Sequence, residues 1–283
     1  MSKEPSKTIG VILASIAANF RDSLLDGLSS AFYDKGYQLV IGLTNNDISR
    51  EKDFIQKFSI TTDCIIIISA AERYTQIKSA VTGAVPMLFL INKPEGCPFS
   101  CILESDYSAI YQAIISSANQ KKSTVGCICS HRELSATKEL LRAYQDAVTA
   151  SSLSFSRDLI YDIGDDLSFR VDKIIEDMVS RNCHSILAGT PAITNRILDY
   201  LVFYNTDPAN EPFQLFGYGM VGNTLASQMN IDVIVHPVDH FIDLTVQTCI
   251  YLIHHPDYKN TRDYLIKGKL RMHTYNGLRS YQD

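Results

Sequence analysis

What the chain lacks narrows its chemistry first. No GxGxxG follows the first apolar segment, where TIGVILAS runs directly into IAANF, and neither GxxxxGKS/T nor GxSxG occurs anywhere. P-loop phosphate binding and nucleophile-elbow hydrolysis therefore lose the loops on which they depend, and dinucleotide binding loses the glycine loop after the first strand. The seven cysteines form no CxxC pair, which removes the usual spacing for zinc or thioredoxin-type redox chemistry. Their number is odd, and Cys64, Cys127 and Cys129 lie inside apolar runs, so they read as buried thiols kept reduced. No run approaches the ~20 apolar residues of a membrane span. The opening MSKEPSKT is polar, with no apolar stretch of signal-peptide length, so a cytoplasmic protein without membrane contact is expected. Positive charge is not in excess either: 26 Lys and Arg stand against 31 Asp and Glu, a net charge of −5. Such a surface repels nucleic-acid phosphates, and binding of DNA by this chain alone is disfavoured.

What is present is a long alternation. Apolar runs of strand length occur at 8–14, 37–43, 63–69, 86–91, 124–130, 158–161, 184–188, 213–218 and 232–236, most of them continuously Ile-, Val- and Leu-rich. That composition suits parallel strands covered on both faces. Between them lie segments of helical period at 19–35, 48–59, 106–119, 133–150, 168–180, 192–203 and 238–253. In the first, Phe20, Leu24, Leu28, Ala31 and Phe32 recur at helical spacing and Gly36 supplies the stop. The alternation predicts an α/β fold of two doubly wound, Rossmann-like parallel-sheet subdomains joined by crossover segments. The polar patch NQKKS before Thr124 marks a boundary near 120. The division expected is 8–119 with 237–257, and 120–236 with 258–283, the tail adding one strand at 267–273.

In open parallel sheets ligands bind beyond the carboxyl ends of the strands, and in a two-domain protein the cleft between the sheets is the default site. That rule selects Phe20, Arg21, Ser69, Asn92, Lys93, His131, Arg132, Thr190, Tyr218, His236 and Asp239 as ligand-binding candidates, a mixture of aromatic faces and hydrogen-bonding groups suited to a small polar molecule. The competing roles are structural: Thr44, Asn45 and Asp47 read as turn and N-cap residues before the helix at Ile48. His236 and His240 are four apart, but Pro237 makes His236 a residue before the helix rather than a metal ligand on it. No catalytic residue, metal or cofactor is expected.

Several phrases, in order, resemble the effector-binding core of the LacI/GalR family of transcription regulators. TIGVILASIAANFRDSLLDGLSSAFYDKGYQLVIGLTNND is similar to the family's opening through Gly27, Gly36, Tyr37 and Thr44. VPMLFLINK, ESDYSAIYQA, LRAYQDAV, SILAGTPAITNRIL, QLFGYG and VIVHPVDHFIDL resemble later family phrases, and the likeness runs from about residue 8 to 273. The resemblance implies a periplasmic-binding-protein-like fold and a cytoplasmic homodimer. It also implies a small polar effector, a sugar or related metabolite, and operator binding through an N-terminal helix-turn-helix. Only MSKEPSK precedes the first strand, too short for a helix pair, so operator DNA is expected as a partner only through a headpiece missing from this chain. The residues at the family's ligand-contacting positions differ: Ala18, Asn19 and Phe20, then Asn92, Leu140, Thr190 with Pro191, Gly219, and His236 with Pro237. Charge-assisted bonds from Asp and Arg, which clamp sugar hydroxyls in the family, are largely replaced. A solute-binding protein of the same fold, or a core responding to a protein co-effector, are the alternatives. For the homodimer, Phe54, Ile55 and Phe58 on the helix at Ile48 are the apolar candidates.

Overall fold

The computed structural model describes residues 6–14, 19–83, 85–119, 124–151, 153, 155–164, 171–183, 185–203, 214–219, 231–256, 261–274 and 277–280. The chain forms two compact units. The first comprises residues 1–104, 134–136 and 237–266; the second comprises 105–133, 137–236 and 267–283.

In the first unit, strands β1 (Thr8–Leu13), β2 (Gln38–Leu43), β3 (Cys64–Ile67), β4 (Met87–Leu90), β5 (Ser100–Ser105) and β11 (Asp263–Lys267) form a sheet of order β11-β5-β4-β3-β1-β2. The pairs from β2 through β5 are parallel. Alternate residues of each strand serve opposite faces. Ile9, Val11, Leu13, Cys64, Ile66, Leu88, Leu90 and Ile102 pack with Leu24, Leu28 and Phe32 of α1 (Asn19–Tyr33) and Phe241, Ile242 and Val246 of a second helix, Val238–His254. Ile12, Ile65, Ile67, Met87, Phe89 and Cys101 pack with Ile55 and Phe58 of α2 (Ile48–Thr61). Both faces are thus dry, which is why the sequence runs read as continuously apolar.

Local chemistry sets the helix ends. After α1, Gly36 takes φ 78°, its N–H bonds Tyr33 O at 2.8 Å, and Tyr37 N–H bonds Phe32 O at 2.9 Å. These two bonds define a Schellman stop, and the accompanying apolar contact is the edge-on pair of Phe32 and Tyr37, 6.5 Å between centroids. Asp47 caps α2, accepting from Ser49 N at 2.7 Å and Arg50 N at 3.3 Å.

The second unit repeats the plan. Strands β6 (Val125–Cys129), β7 (Ile160–Asp162), β8 (Ser185–Ala188), β9 (Gln214–Tyr218), β10 (Asp232–Val235), β12 (Lys269–Thr274) and β13 (Gly277–Ser280) run in the order β13-β12-β10-β9-β8-β6-β7. The strands β7 to β10 pair in parallel, while β12 and β13 are antiparallel additions at one edge. Helices α3 (Tyr107–Asn119) and α4 (Ser135–Ala150) pack through Ile110, Ile114, Leu140 and Tyr144 against Cys127, Leu187 and Phe216. Helices α5 (Val171–Ser180) and α6 (Pro191–Phe203) cover the opposite face through Ile175, Met178, Ile193 and Ile197. The helix Val238–His254 is α7.

The predicted α/β class with two doubly wound sheets is the observed one, but its details need correction. The first crossing of the chain falls at residue 104, not near 119, because α3 buries Ala109, Ile110, Ala113 and Ile114 in the core of the second unit. Residues 258–266, expected in the second subdomain, belong to the first, where Ile266 of β11 is buried. Residues 134–136 also fall in the first unit. The tail supplies three strands rather than one. Phe58 and Ile55, read as possible dimer surface, cover the sheet at 2% and 0% exposure, and Phe54 packs against the same cluster.

Truncating Phe58 should therefore act as a core deletion. Phe58→Ala is expected to lower the stability of the first unit by about 3–5 kcal/mol in urea unfolding; an unchanged midpoint would mean that α2 does not seal this face.

Candidate functional site

Each sheet changes strand order once. In the first unit the switch lies between β1 and β3, in the second between β6 and β8, the crevice outside which doubly wound folds bind their ligands. Six non-glycine residues among the described ones have positive φ: Asn45, Asn46, Ile91 and His131 (52°, 60°, 65° and 53°) follow strands β2, β4 or β6, whereas Lys7 and Asn182 precede β1 and β8. A β-branched residue at such an angle is an outlier that the surrounding structure must hold in place. At Ile91 the holding bond is Asn92 N–H to Leu90 O, 2.6 Å, a γ-turn that presents Asn92 just beyond β4.

In the first unit, Ser69 follows β3 and is buried. Its hydroxyl donates to Glu51 Oε1 at 2.5 Å and accepts from Ala71 N at 3.0 Å, while Ala70 N–H donates to Glu51 Oε2 at 2.8 Å. Glu51, 0% exposed in the first turn of α2, thus ties down the loop after β3. Burial holds its carboxyl above the ordinary carboxylate range, against the lowering effect of the Ser69 and Ala70 bonds. Asn92 is 8% exposed, and its Oδ1 accepts from Ala136 N at 3.4 Å. Lys93 donates its backbone N–H to Ser135 Oγ at 2.8 Å and its ammonium to Asp263 at 2.5 Å. Phe20 and Arg21 lie in the first turn of α1; their side chains are outside the described residues. Asp239 is exposed in the first turn of α7.

In the second unit, Asp162 closes β7 and organises the loop after β6. Its carboxylate accepts from the backbone N–H of His131 at 3.0 Å, Arg132 at 3.2 Å and Gly164 at 3.1 Å, and Arg132 Nε lies 3.4 Å away. Arg132 also donates to Ile160 O at 2.7 Å. The His131 imidazole sits 3.2 Å from Glu133. Thr190, after β8, accepts Ile193 N–H at 3.2 Å on its Oγ1 and so caps α6, with Pro191 at the first helical position.

Tyr218 and His236 close β9 and follow β10. Both converge on Asp106, at 2.9 Å from the Tyr218 hydroxyl and 2.7 Å from His236 Nε2. The two rings stack at 6.0 Å and 18°. The His236 and Asp106 side chains are only 7 and 12% exposed. Gly268 makes room for the pair: a Cβ there would stand 2.1 Å from Asp106 Oδ1.

The residues chosen from the sequence divide accordingly. Tyr218 and His236 are brought together, through a carboxylate not among the candidates. Ser69 and Thr190 spend part of their hydrogen-bonding capacity on their own loops, Arg132 on β7 and Lys93 on Ser135 and Asp263. The organising acids Glu51, Asp106 and Asp162 were all missed. Asp106, in ESDYS, sits at the junction of a strand and a helix; Glu51 carries no local signal of burial.

No family model matches the chain. It is similar to the transcriptional repressor PurR of Vibrio campbellii, 20% identical over 157 residues, which is 55% of this chain and 47% of that protein. The match thus spans about half the length of that curated relative. Among solved structures, the transcription regulator CcpA of Lactococcus lactis superposes with a TM-score of 0.78 at 15% identity, over 97% of this chain and 99% of that one. The Cra transcriptional dual regulator of Pseudomonas putida, in complex with fructose 1-phosphate, gives 0.80 at 13% identity over 95% and 99%. The likeness to LacI-type regulators read from the sequence is thus found again in both comparisons.

The buried Glu51 gives a pH-dependent test. A carboxyl whose pKa is raised on folding binds its proton more tightly when folded, so stability is lost as pH rises from its ordinary 4.5 through the folded value. Gln keeps an acceptor for Ala70 and, by reversing the second bond, donates from Nε2 to Ser69 Oγ without the charge. Glu51→Gln is therefore expected to gain melting temperature relative to the parent as pH rises from weakly acidic to neutral; a constant difference over that range would contradict the assignment.

Proposed function

We propose that this chain, a relative of the LacI-type transcription regulators in sequence and in fold, is the ligand-sensing core of such a regulator. It acts by binding a small polar effector, a sugar or a related metabolite, and catalyses no reaction. The observation that carries this reading is the fixing of loops at the carboxyl ends of the parallel strands, by Glu51 after β3 and Asp162 after β6, with Ile91 and His131 held at positive φ after β4 and β6. Holding Ile91 and His131 at positive φ costs of order 1–3 kcal/mol each, and a fold accepts such a cost where backbone and side chains must be set for a ligand. The fructose 1-phosphate bound to the Pseudomonas putida Cra regulator supports a sugar or sugar phosphate as the effector class. Asn92, His131, Thr190, Tyr218 and His236 are the contacts we assign, with Phe20 and Arg21 from the start of α1.

Effector binding biases the core towards one conformation by its differential affinity, and that difference is all the free energy available to a linked DNA-binding segment. With its net charge of −5, this chain does not bind operator DNA by itself. Its place is the cytoplasm; no helix among the described residues is long and apolar enough to cross a membrane.

A thermal-shift panel of sugars, sugar phosphates and nucleobases tests the effector class. A true ligand at 100 times its dissociation constant adds about 2.7 kcal/mol. Asn92→Ala should weaken that ligand at least tenfold, about 1.4 kcal/mol, with little change in the unliganded melting temperature. Stabilisation by nucleobases alone, or indifference of a sugar ligand to Asn92→Ala, would overturn the assignment.

The core is proposed to work as a homodimer. On β2, the outermost strand of its sheet, Val40, Ile41 and Leu43 are 43, 41 and 38% exposed, and an apolar sheet edge calls for a partner. Sedimentation should give a dimer at micromolar concentration and a monomer for Ile41→Lys; a monomeric parent would refute the pairing.

A further inference from the structure

The geometry points to Cys97 and Cys101 as a reversible thiol oxidation site, at which a peroxide converts the pair to an intramolecular disulfide closing the turn before β5. This goes beyond the effector reading and does not depend on it.

Among the seven cysteines, all unpaired as disulfides, this pair is set apart by position. Cys97 lies in the turn after Gly96 (φ 75°), its N–H bonded to Pro94 O at 3.0 Å, and it retains 9% exposure while Cys101 on β5 has none. Both belong to the same apolar cluster. Cys101 Sγ lies 3.5 Å from Phe99 O. The Cys97 thiol is held below its ordinary range first by the hydrogen bond from Cys101, then, against burial, by the Phe99 amide and the Lys93 ammonium. The same hydrogen bond and burial push the Cys101 thiol up. A thiol of lowered pKa beside a resolving thiol of raised pKa is the arrangement that sensor cysteines use.

The other neighbouring thiols are less suited. Cys127 and Cys129 are two apart on β6, so the ladder holds their Cα atoms about 6.6 Å apart, near the upper limit for a disulfide. They are 0 and 1% exposed. Cys64 and Cys249 are both at 0%, and burial pushes the Cys249 thiol up. Cys97, in a turn outside the β ladder, is free of that constraint.

The chemistry balances with hydrogen peroxide as oxidant. The Cys97 thiolate attacks one peroxide oxygen, the O–O bond breaks, and hydroxide leaves, giving a sulfenic acid. The Cys101 sulfur then attacks the Cys97 sulfur, the S–OH bond breaks, and the departing hydroxide takes the Cys101 proton as water. The pair loses two electrons, which reduce the peroxide. The product staples the segment that carries Asn92 and Lys93 to β5.

The test is peptide mapping of the whole reduced chain treated with hydrogen peroxide, then alkylated after denaturation. Because no Lys or Arg lies between Cys97 and Cys101, both cysteines fall in one tryptic peptide. That peptide is expected to lose two hydrogens, reversibly with dithiothreitol, before any other cysteine is oxidised. In Cys101→Ser, dimedone should trap a sulfenic acid at Cys97; in Cys97→Ser, Cys101 should stay reduced. Oxidation of Cys127 and Cys129 first, a Cys97 that stays alkylatable, or no dimedone adduct in Cys101→Ser would overturn the proposal. If a variant fails to fold, the parent's peptide map alone decides.

Discussion

Covering a parallel sheet on both faces is the constraint from which the rest of this molecule follows. A strand such as Cys64–Ile67 is wholly buried, so its residues must be apolar whichever way they point, and its backbone must find partners on both sides. The helices that supply the covers have to return the chain across the sheet, and this fixes the βαβ alternation. The polar chemistry is then pushed to the strand ends. There, acids hold the polar groups: Glu51 on the loop after β3, Asp162 on the loop after β6, and Asp106 between Tyr218 and His236.

Much of this was legible in the sequence. The continuous Ile, Val and Leu runs mark the central strands, and Gly36 and Asp47 mark helix ends through mechanisms the structure displays atom by atom. The outer strands were not legible for the converse reason. β11 carries Asp263 and Lys267 and is mostly exposed, as a sheet edge should be. β5 buries only its first three residues before turning half-exposed, so neither produces an apolar run. The unit boundary was misplaced because the polar NQKKS patch follows α3, while the helix itself is committed to the second core by Ile110 and Ile114.

The loops that carry the proposed contacts were legible, the roles of their residues less so. Asn92, His131, Thr190, Tyr218 and His236 stand at strand ends, as the sequence implies, yet the strand-end rule could not tell a hydroxyl that caps a helix, as Thr190 does, from one reserved for a ligand. It also could not see Glu51, since a glutamate in a helix's first turn looks like an ordinary favourable charge until the fold buries it.

The central claim, that an effector is sensed at these strand ends, is most directly tested by amide hydrogen exchange of the whole chain with and without a saturating sugar or sugar phosphate. The account predicts slowed exchange at 92–96, 131–134 and 190–194, with the outer strands β11 and β13 unaffected. Slowing confined to segments away from the strand ends would contradict it.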